Sequence, residues 1–152
     1  MTLTAEATRV VEATPREVLE FVLDLERYRE ADTKIGKVTQ PVVLDDDGVG
    51  SAVYWGRLRG TPPAPDRNLV RLTEWTGLTF TGAPRQPARL VFAFTGRFAC
   101  TEVDGGCEVT HGYEMTFRRP FRWIYEPVLR TWLQSELEDE LDRVQQILGG
   151  TR

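Results

Sequence analysis

The stretch Val10-Val11-Glu12-Ala13-Thr14-Pro15-Arg16-Glu17-Val18-Leu19-Glu20-Phe21-Val22-Leu23-Asp24 changes its periodicity halfway along, and that change sets the opening of the fold. Residues 3–13 mix small and β-branched side chains and read as a first strand. Thr14-Pro15-Arg16-Glu17 then has the form of a capping box, with Thr at the N-cap, Pro at the first helical position, where its missing N–H costs nothing, and Glu placed to reach back. Val18, Phe21, Val22 and Leu25 fall at i, i+3, i+4 and i+7, one apolar helical stripe. The spacing predicts an amphipathic helix from Pro15, followed by a second short helical stretch over Glu26 to Glu30.

Beyond this opening the period becomes two. Turn signals at Asp45-Asp46-Asp47-Gly48, Gly60-Thr61-Pro62-Pro63, Gly82-Ala83-Pro84 and Asp104-Gly105-Gly106 divide residues 34–117 into six strands, at 34–43, 50–59, 68–75, 78–82, 88–102 and 107–117. Short turns between successive strands imply an antiparallel meander. The chain then returns to helical spacing. Leu129, Leu133, Leu137, Leu141, Val144 and Leu148 recur every three or four residues, and Gly149-Gly150 supplies a C-cap. Pro127 reads as the start of this helix or a kink in it, with Phe121 to Glu126 as a lead-in turn. The acidic run Glu136 to Asp142 reads as its solvated face. A helix of about 20 residues spans about 30 Å, the width of a small domain, so it must lie across the sheet.

The strands at 88–102 and 107–117 make the sharpest structural prediction. In the first, even positions are apolar (Leu90, Phe92, Phe94, Phe98, Cys100); in the second, odd positions carry Cys107, Val109, His111, Tyr113, Met115 and Phe117. With Asp104-Gly105 as the loop, paired residue numbers sum to 209; with Gly105-Gly106 they sum to 211. Both sums are odd, so either register puts the two apolar sets on one face. His111 and Tyr113 then sit among phenylalanines, either as hydrogen-bonded core residues or as the polar groups that orient a ligand in a mostly apolar cavity. The 211 register would place Cys100 opposite His111, although an apolar setting raises a thiol's pKa and makes simple packing the commoner fate. On the strand at 50–59, Val53, Trp55 and Arg57 share one face and Tyr54 and Leu58 the other. The pattern leaves open which is inside, as it does for 68–75, where Glu74 would follow Val70 and Leu72 inward or Arg71 would follow Leu69 and Trp75. The segment Arg118-Arg119-Pro120-Phe121-Arg122-Trp123 reads as a solvated approach to the last helix, with an anionic or membrane-surface patch as the alternative.

Composition narrows the function classes. The 152 residues suit one domain, and the 41% apolar content is ordinary for a globular chain. A net charge of −4 argues against nucleic acid as a partner. The basic residues are 17 Arg against two Lys, a bias that hints at a GC-rich bacterial genome. One His, two Cys, two Ser and one Asn leave no spacing for a zinc site, and neither a phosphate-binding Gly-rich loop nor a G-x-S-x-G motif is present. No metal and no other cofactor is expected. The longest apolar run, Leu90 to Phe94, is far too short to cross a bilayer, and the first residues contain no secretory signal. A cytoplasmic protein without integral membrane association is the expectation, and its Cys100 and Cys107 are expected to remain reduced. The sequence leaves the oligomeric state open.

A strand, a capped short helix, six antiparallel strands and a long C-terminal helix follow the order of the helix-grip fold, an α+β architecture. The segment from Val10 to Asp24 and the Leu-rich helix from Pro127 to Leu148 resemble the START and birch-pollen-allergen-like superfamily, in particular its SRPBCC branch of polyketide cyclase/dehydrase-like proteins. The resemblance covers nearly the whole chain and implies a seven-stranded sheet curled around the last helix, with a cavity between them. It implies no residue-by-residue catalytic signature, because the matching positions pack and cap. The family contains lipid carriers and polyketide aromatase/cyclases, so the expected partner is a small hydrophobic molecule: a lipid, a polyketide or an aromatic metabolite. Trp55, Phe92, Phe94 and Phe98 are the expected sheet contacts, and Leu133 and Leu137 the expected helix contacts. His111 and Tyr113 would orient the ligand or, in an aromatase/cyclase or dehydratase, serve as acid and base. A filled core would instead favour a protein-interaction module.

Overall fold

A computed structural model describes residues 2–60, 62–84 and 92–150. In chain order the elements are β1 (Thr2–Val11), α1 (Pro15–Leu23), α2 (Leu25–Tyr28), β2 (Ile35–Leu44), β3 (Val49–Gly56), β4 (Ala64–Thr73), β5 (Gly77–Pro84), β6 (Phe92–Val103), β7 (Gly106–Phe117) and α3 (Phe121–Gly149). The strands form one antiparallel seven-stranded sheet in the order β1-β7-β6-β5-β4-β3-β2. With α3 laid along one face, this is the helix-grip fold.

Local chemistry explains the opening. Thr14 Oγ1 accepts from the Glu17 backbone N–H at 3.1 Å, and Pro15 starts α1, which buries Val18, Leu19, Phe21 and Val22. Asp24 then caps the single turn of α2 through the Arg27 N–H.

The β6–β7 hairpin takes the 209 register, with Val103 opposite Gly106 and Phe98 opposite His111. Its loop is therefore Asp104-Gly105, where Gly105 takes a φ of 84° that a side chain would resist. Cys100 faces Val109 and not His111, so the facing arrangement expected of a thiol–imidazole pair is not formed. Both cysteines are buried and free. The predicted strand residues 88–91 lie outside the described residues.

Two faces left open by alternation are now decided. On β4 the even residues Asp66, Asn68 and Val70 are buried, and Leu69 is exposed. Glu74 does not follow them inward: β4 ends at Thr73, and Glu74 and Trp75 take left-handed backbone angles in the turn. On β3, Ala52 and Tyr54 point into the core, while Trp55 is 40% exposed.

The last helix differs from its prediction in two ways. It begins at Phe121, so residues 121–126 are helix and not a lead-in turn, with Pro127 inside it. Its acidic run is not wholly solvated either, because Glu136 and Glu140 are buried. Leu133, Glu140 and Val144 are spaced i, i+7 and i+11, which places Glu140 on the apolar stripe. No helix among the described residues is long and apolar enough to cross a membrane.

The core sits between α3 and the strands it packs on, β1 and β7. The remaining inner surface, over β3 to β6, is faced by α1, α2 and the chain leading into β2. That uneven cover leaves room for a hollow.

Candidate functional site

A cavity of about 420 Å³ lies on the inner face of β3 to β7. Phe80, Phe94, Phe98 and Tyr113 form its aromatic wall, Val22 and Leu25 close it from the helices, and Trp55, Pro62 and Pro63 lie where it meets the surface. Sheet geometry shapes this wall. Gly82 lies opposite Phe94, and a Cβ at Gly82 would fall 2.0 Å from the Phe94 ring, so only glycine lets that ring lie flat against its neighbour strand. Phe94 in turn stacks on Tyr113, with ring centroids 5.4 Å apart and planes at 6°.

One end of the cavity is ionic. Lys34, 4% exposed, donates to Glu140 Oε2 at 2.6 Å and to Asp32 Oδ1 at 2.7 Å. Glu140 is fully buried on α3, and its other oxygen accepts from the Tyr28 hydroxyl. His111 Nδ1 lies 3.2 Å from that same oxygen, Oε1, without the alignment of a hydrogen bond, and its ring stacks on Phe98 at 4.0 Å. Lys34, Asp32, Tyr28 and His111 line the cavity, with Glu140 behind them.

The charges decide one another's states. Burial alone would raise the Glu140 carboxyl, but His111 and Lys34 override it and hold the group well below the ordinary carboxylate range. Burial opposes the Lys34 ammonium, yet Asp32 and Glu140 together push its pKa up, which makes it a fixed cation and not a nucleophilic amine. Burial raises Asp32, helped by the nearby Glu140 charge and resisted by Lys34. A lysine already held by two carboxylates leaves little charge for a metal, and no metal-binding cluster is found among the described residues.

A second polar group lies on the sheet. Asp66 also lines the cavity, and burial pushes its carboxyl up to about 7. Burial raises the Tyr54 and Tyr113 phenols as well, so both are neutral donors.

Of the residues singled out from sequence, Trp55, Phe94, Phe98, His111 and Tyr113 line this cavity. Leu133 and Leu137 do not; they are fully buried in the core of α3, whose one side chain in the cavity lining is Tyr125. The cavity therefore lies beside α3, towards α1 and α2. The side chain of Phe92 lies outside the described part of the structure. Sequence reasoning missed Tyr28, Asp32, Lys34, Tyr54, Asp66 and Glu140. For Glu140 the signal was its place on the Leu133–Val144 stripe; for Lys34 it was being one of two lysines beside 17 arginines.

Solved structures share this architecture at low identity. The Zhui aromatase/cyclase from Streptomyces sp. R1128 superposes with a TM-score of 0.71 at 14% identity, covering 96% of this chain and 95% of that one. A START superfamily protein from Mycobacterium smegmatis gives 0.71 at 16% identity, covering 95% and 98%. The di-domain aromatase/cyclase StfQ of the steffimycin biosynthetic pathway gives 0.73 at 11% identity; the match covers 99% of this chain but 52% of that protein, about half its length. No curated protein sequence is significantly similar. Residues 2–149 match the profile of one family, described as polyketide cyclase/dehydrase and lipid transport, and the chain belongs to that family.

Proposed function

We propose that the protein binds a small hydrophobic molecule, such as a polyketide, a lipid or an aromatic metabolite, in the cavity beneath β3 to β7. The observation that carries this reading is the cavity itself, about 420 Å³, aromatic-walled and ended by a buried ionic cluster. That volume is within the range of small-molecule sites, and a few placed polar groups in an apolar setting fix orientation. Apolar burial at roughly 25 cal/mol per Å² supplies the affinity. His111, Tyr113 and Lys34 set the pose. Native mass spectrometry of the purified protein should show a bound small molecule that is lost on denaturation, and hydrophobic probes should change the emission of Trp55 but not that of a Trp55→Phe variant. Absence of both a co-purified ligand and probe binding would overturn the reading.

A second reading is favoured by the contact of His111 with Glu140. A carboxylate beside one ring nitrogen orients the imidazole and supports proton transfer at the other, the logic of a general base. In that case the protein cyclises or dehydrates a polyketide chain held against Phe94 and Phe98. His111→Ala and Tyr113→Phe should then abolish turnover of a polyketide substrate, whereas in a carrier they shift affinity alone.

A further inference from the structure

The inner face of the β3–β4 pair carries polar groups that the ionic cluster does not use. Tyr54 on β3 lies directly opposite Asp66 on β4, so their side chains leave the sheet on the same side. Both line the cavity, and each is less than a tenth exposed. Asp66 Oδ1 finds no hydrogen-bond partner among the described residues. Nor does either polar atom of the fully buried Asn68, two residues along β4, which approaches the Tyr54 hydroxyl without making an aligned bond. Gly56, in the cavity lining, leaves Asp66 open: a Cβ built there would sit 3.5 Å from Asp66 Oδ2 and begin to cover it.

Buried polar groups without partners cost stability. A β-strand position facing a cavity could carry Val or Leu, as Val70 does on the same face. The cost at Asp66 has a ready physical reason if a guest supplies the missing bond. The chemistry of that guest follows from the groups present. Asp66 is pushed up to about 7 by burial and is a neutral acid below that, Tyr54 is a neutral phenol, and Asn68 is an amide. Two neutral hydrogen-bonding groups, Tyr54 and Asp66, in an apolar wall complement a neutral oxygen, hydroxyl or ketone, and not an ion.

We infer that Tyr54 and Asp66 form a polar subsite that takes a hydroxyl or ketone oxygen of an otherwise apolar aromatic ligand. The inference rests on the cavity being a ligand site, and it narrows the ligand to an oxygenated one held on the β3–β4 wall.

Equilibrium dialysis at pH 6 with naphthalene, 2-naphthol and 2-acetonaphthone tests it. The wild type should bind both oxygenated probes about tenfold tighter than naphthalene, the effect of one good buried hydrogen bond. Tyr54→Phe and Asp66→Ala should each remove most of that preference, read within each variant as the ratio of oxygenated-probe to naphthalene affinity, and Asp66→Asn should keep it. Asp66→Ala should also raise the melting temperature at pH 8, as expected when an unpartnered polar group is deleted. If the preference survives both Tyr54→Phe and Asp66→Ala, or Asp66→Ala lowers the melting temperature, the subsite is wrong and the cavity reading stands. If none of the probes binds, the cavity reading falls and takes the subsite with it.

Discussion

Glu140 is the residue on which the buried cluster depends. It is the common partner of Lys34, Tyr28 and His111, and it is wholly inside the protein. Removing one member of a buried ion pair leaves its partner's charge under-compensated, here Lys34 with Asp32 alone, at a cost of about 3–5 kcal/mol. Glu140→Ala should therefore lower unfolding free energy by that amount in urea titrations, and Lys34→Met combined with Glu140→Leu should cost clearly less than the sum of the single changes. Two carboxyls also give opposite pH slopes. The folded pKa of Glu140 lies below its ordinary value of 4.5, so its contribution is complete above that pH and is lost as pH falls below it. Asp66 is raised from 3.8 to about 7, so the folded state binds the extra proton and stability falls as pH rises between those values. Asp66→Asn should flatten the slope between pH 4 and 7, gaining on the order of 2–4 kcal/mol over wild type at pH 8. A parallel pH dependence in the two proteins would contradict this.

At the scale of elements, α3 carries a proline as its seventh residue. Pro127 offers no N–H to the Trp123 carbonyl, the bond an uninterrupted helix would make there, and its ring crowds the preceding turn. The position is exposed, so the ring adds no core contact. Pro127→Ala should raise stability by about 1 kcal/mol or more, a rise in melting temperature of about 2–4 °C. The sheet has the opposite kind of special position. Gly82→Ala would drive a methyl into the Phe94 ring and push it from the wall towards the cavity. Hydrophobic probe affinity should fall about tenfold or more in Gly82→Ala, while the far-UV circular dichroism of the sheet is retained.

For the molecule as a whole, an empty apolar cavity sacrifices packing, and a guest restores it. A ligand that binds only the folded state, present at a hundredfold its dissociation constant, stabilises by about 2.7 kcal/mol, which for a chain of this size is about 5–10 °C of melting temperature. Thermal shift with the probes above should show this in wild type and a smaller rise in Gly82→Ala.

The alternation of β6 and β7, the Thr14–Pro15 cap and the leucine spacing of α3 were legible because each is a local rule: period two, a capping geometry and a period near 3.6 fix which face of an element is apolar. From these the order of elements, the shared face of the hairpin and the place of His111 and Tyr113 on it followed from sequence alone. The ionic cluster did not, because its members come from α2, the turn before β2, β7 and α3, and no local pattern says that Lys34 and Glu140, 106 residues apart, will meet. Nor could alternation choose the inner face of β3 and β4, where both faces carry apolar and polar residues. Only the curl of the sheet decided that Tyr54 and Asp66 face inward. The same curl, with α3 covering β1 and β7 and leaving β3 to β6 to the shorter helices, turned an apolar interior into a hollow with a charged end. Burial is a property of the assembled surfaces, and a strand's sequence cannot state which of its two faces the rest of the chain will cover.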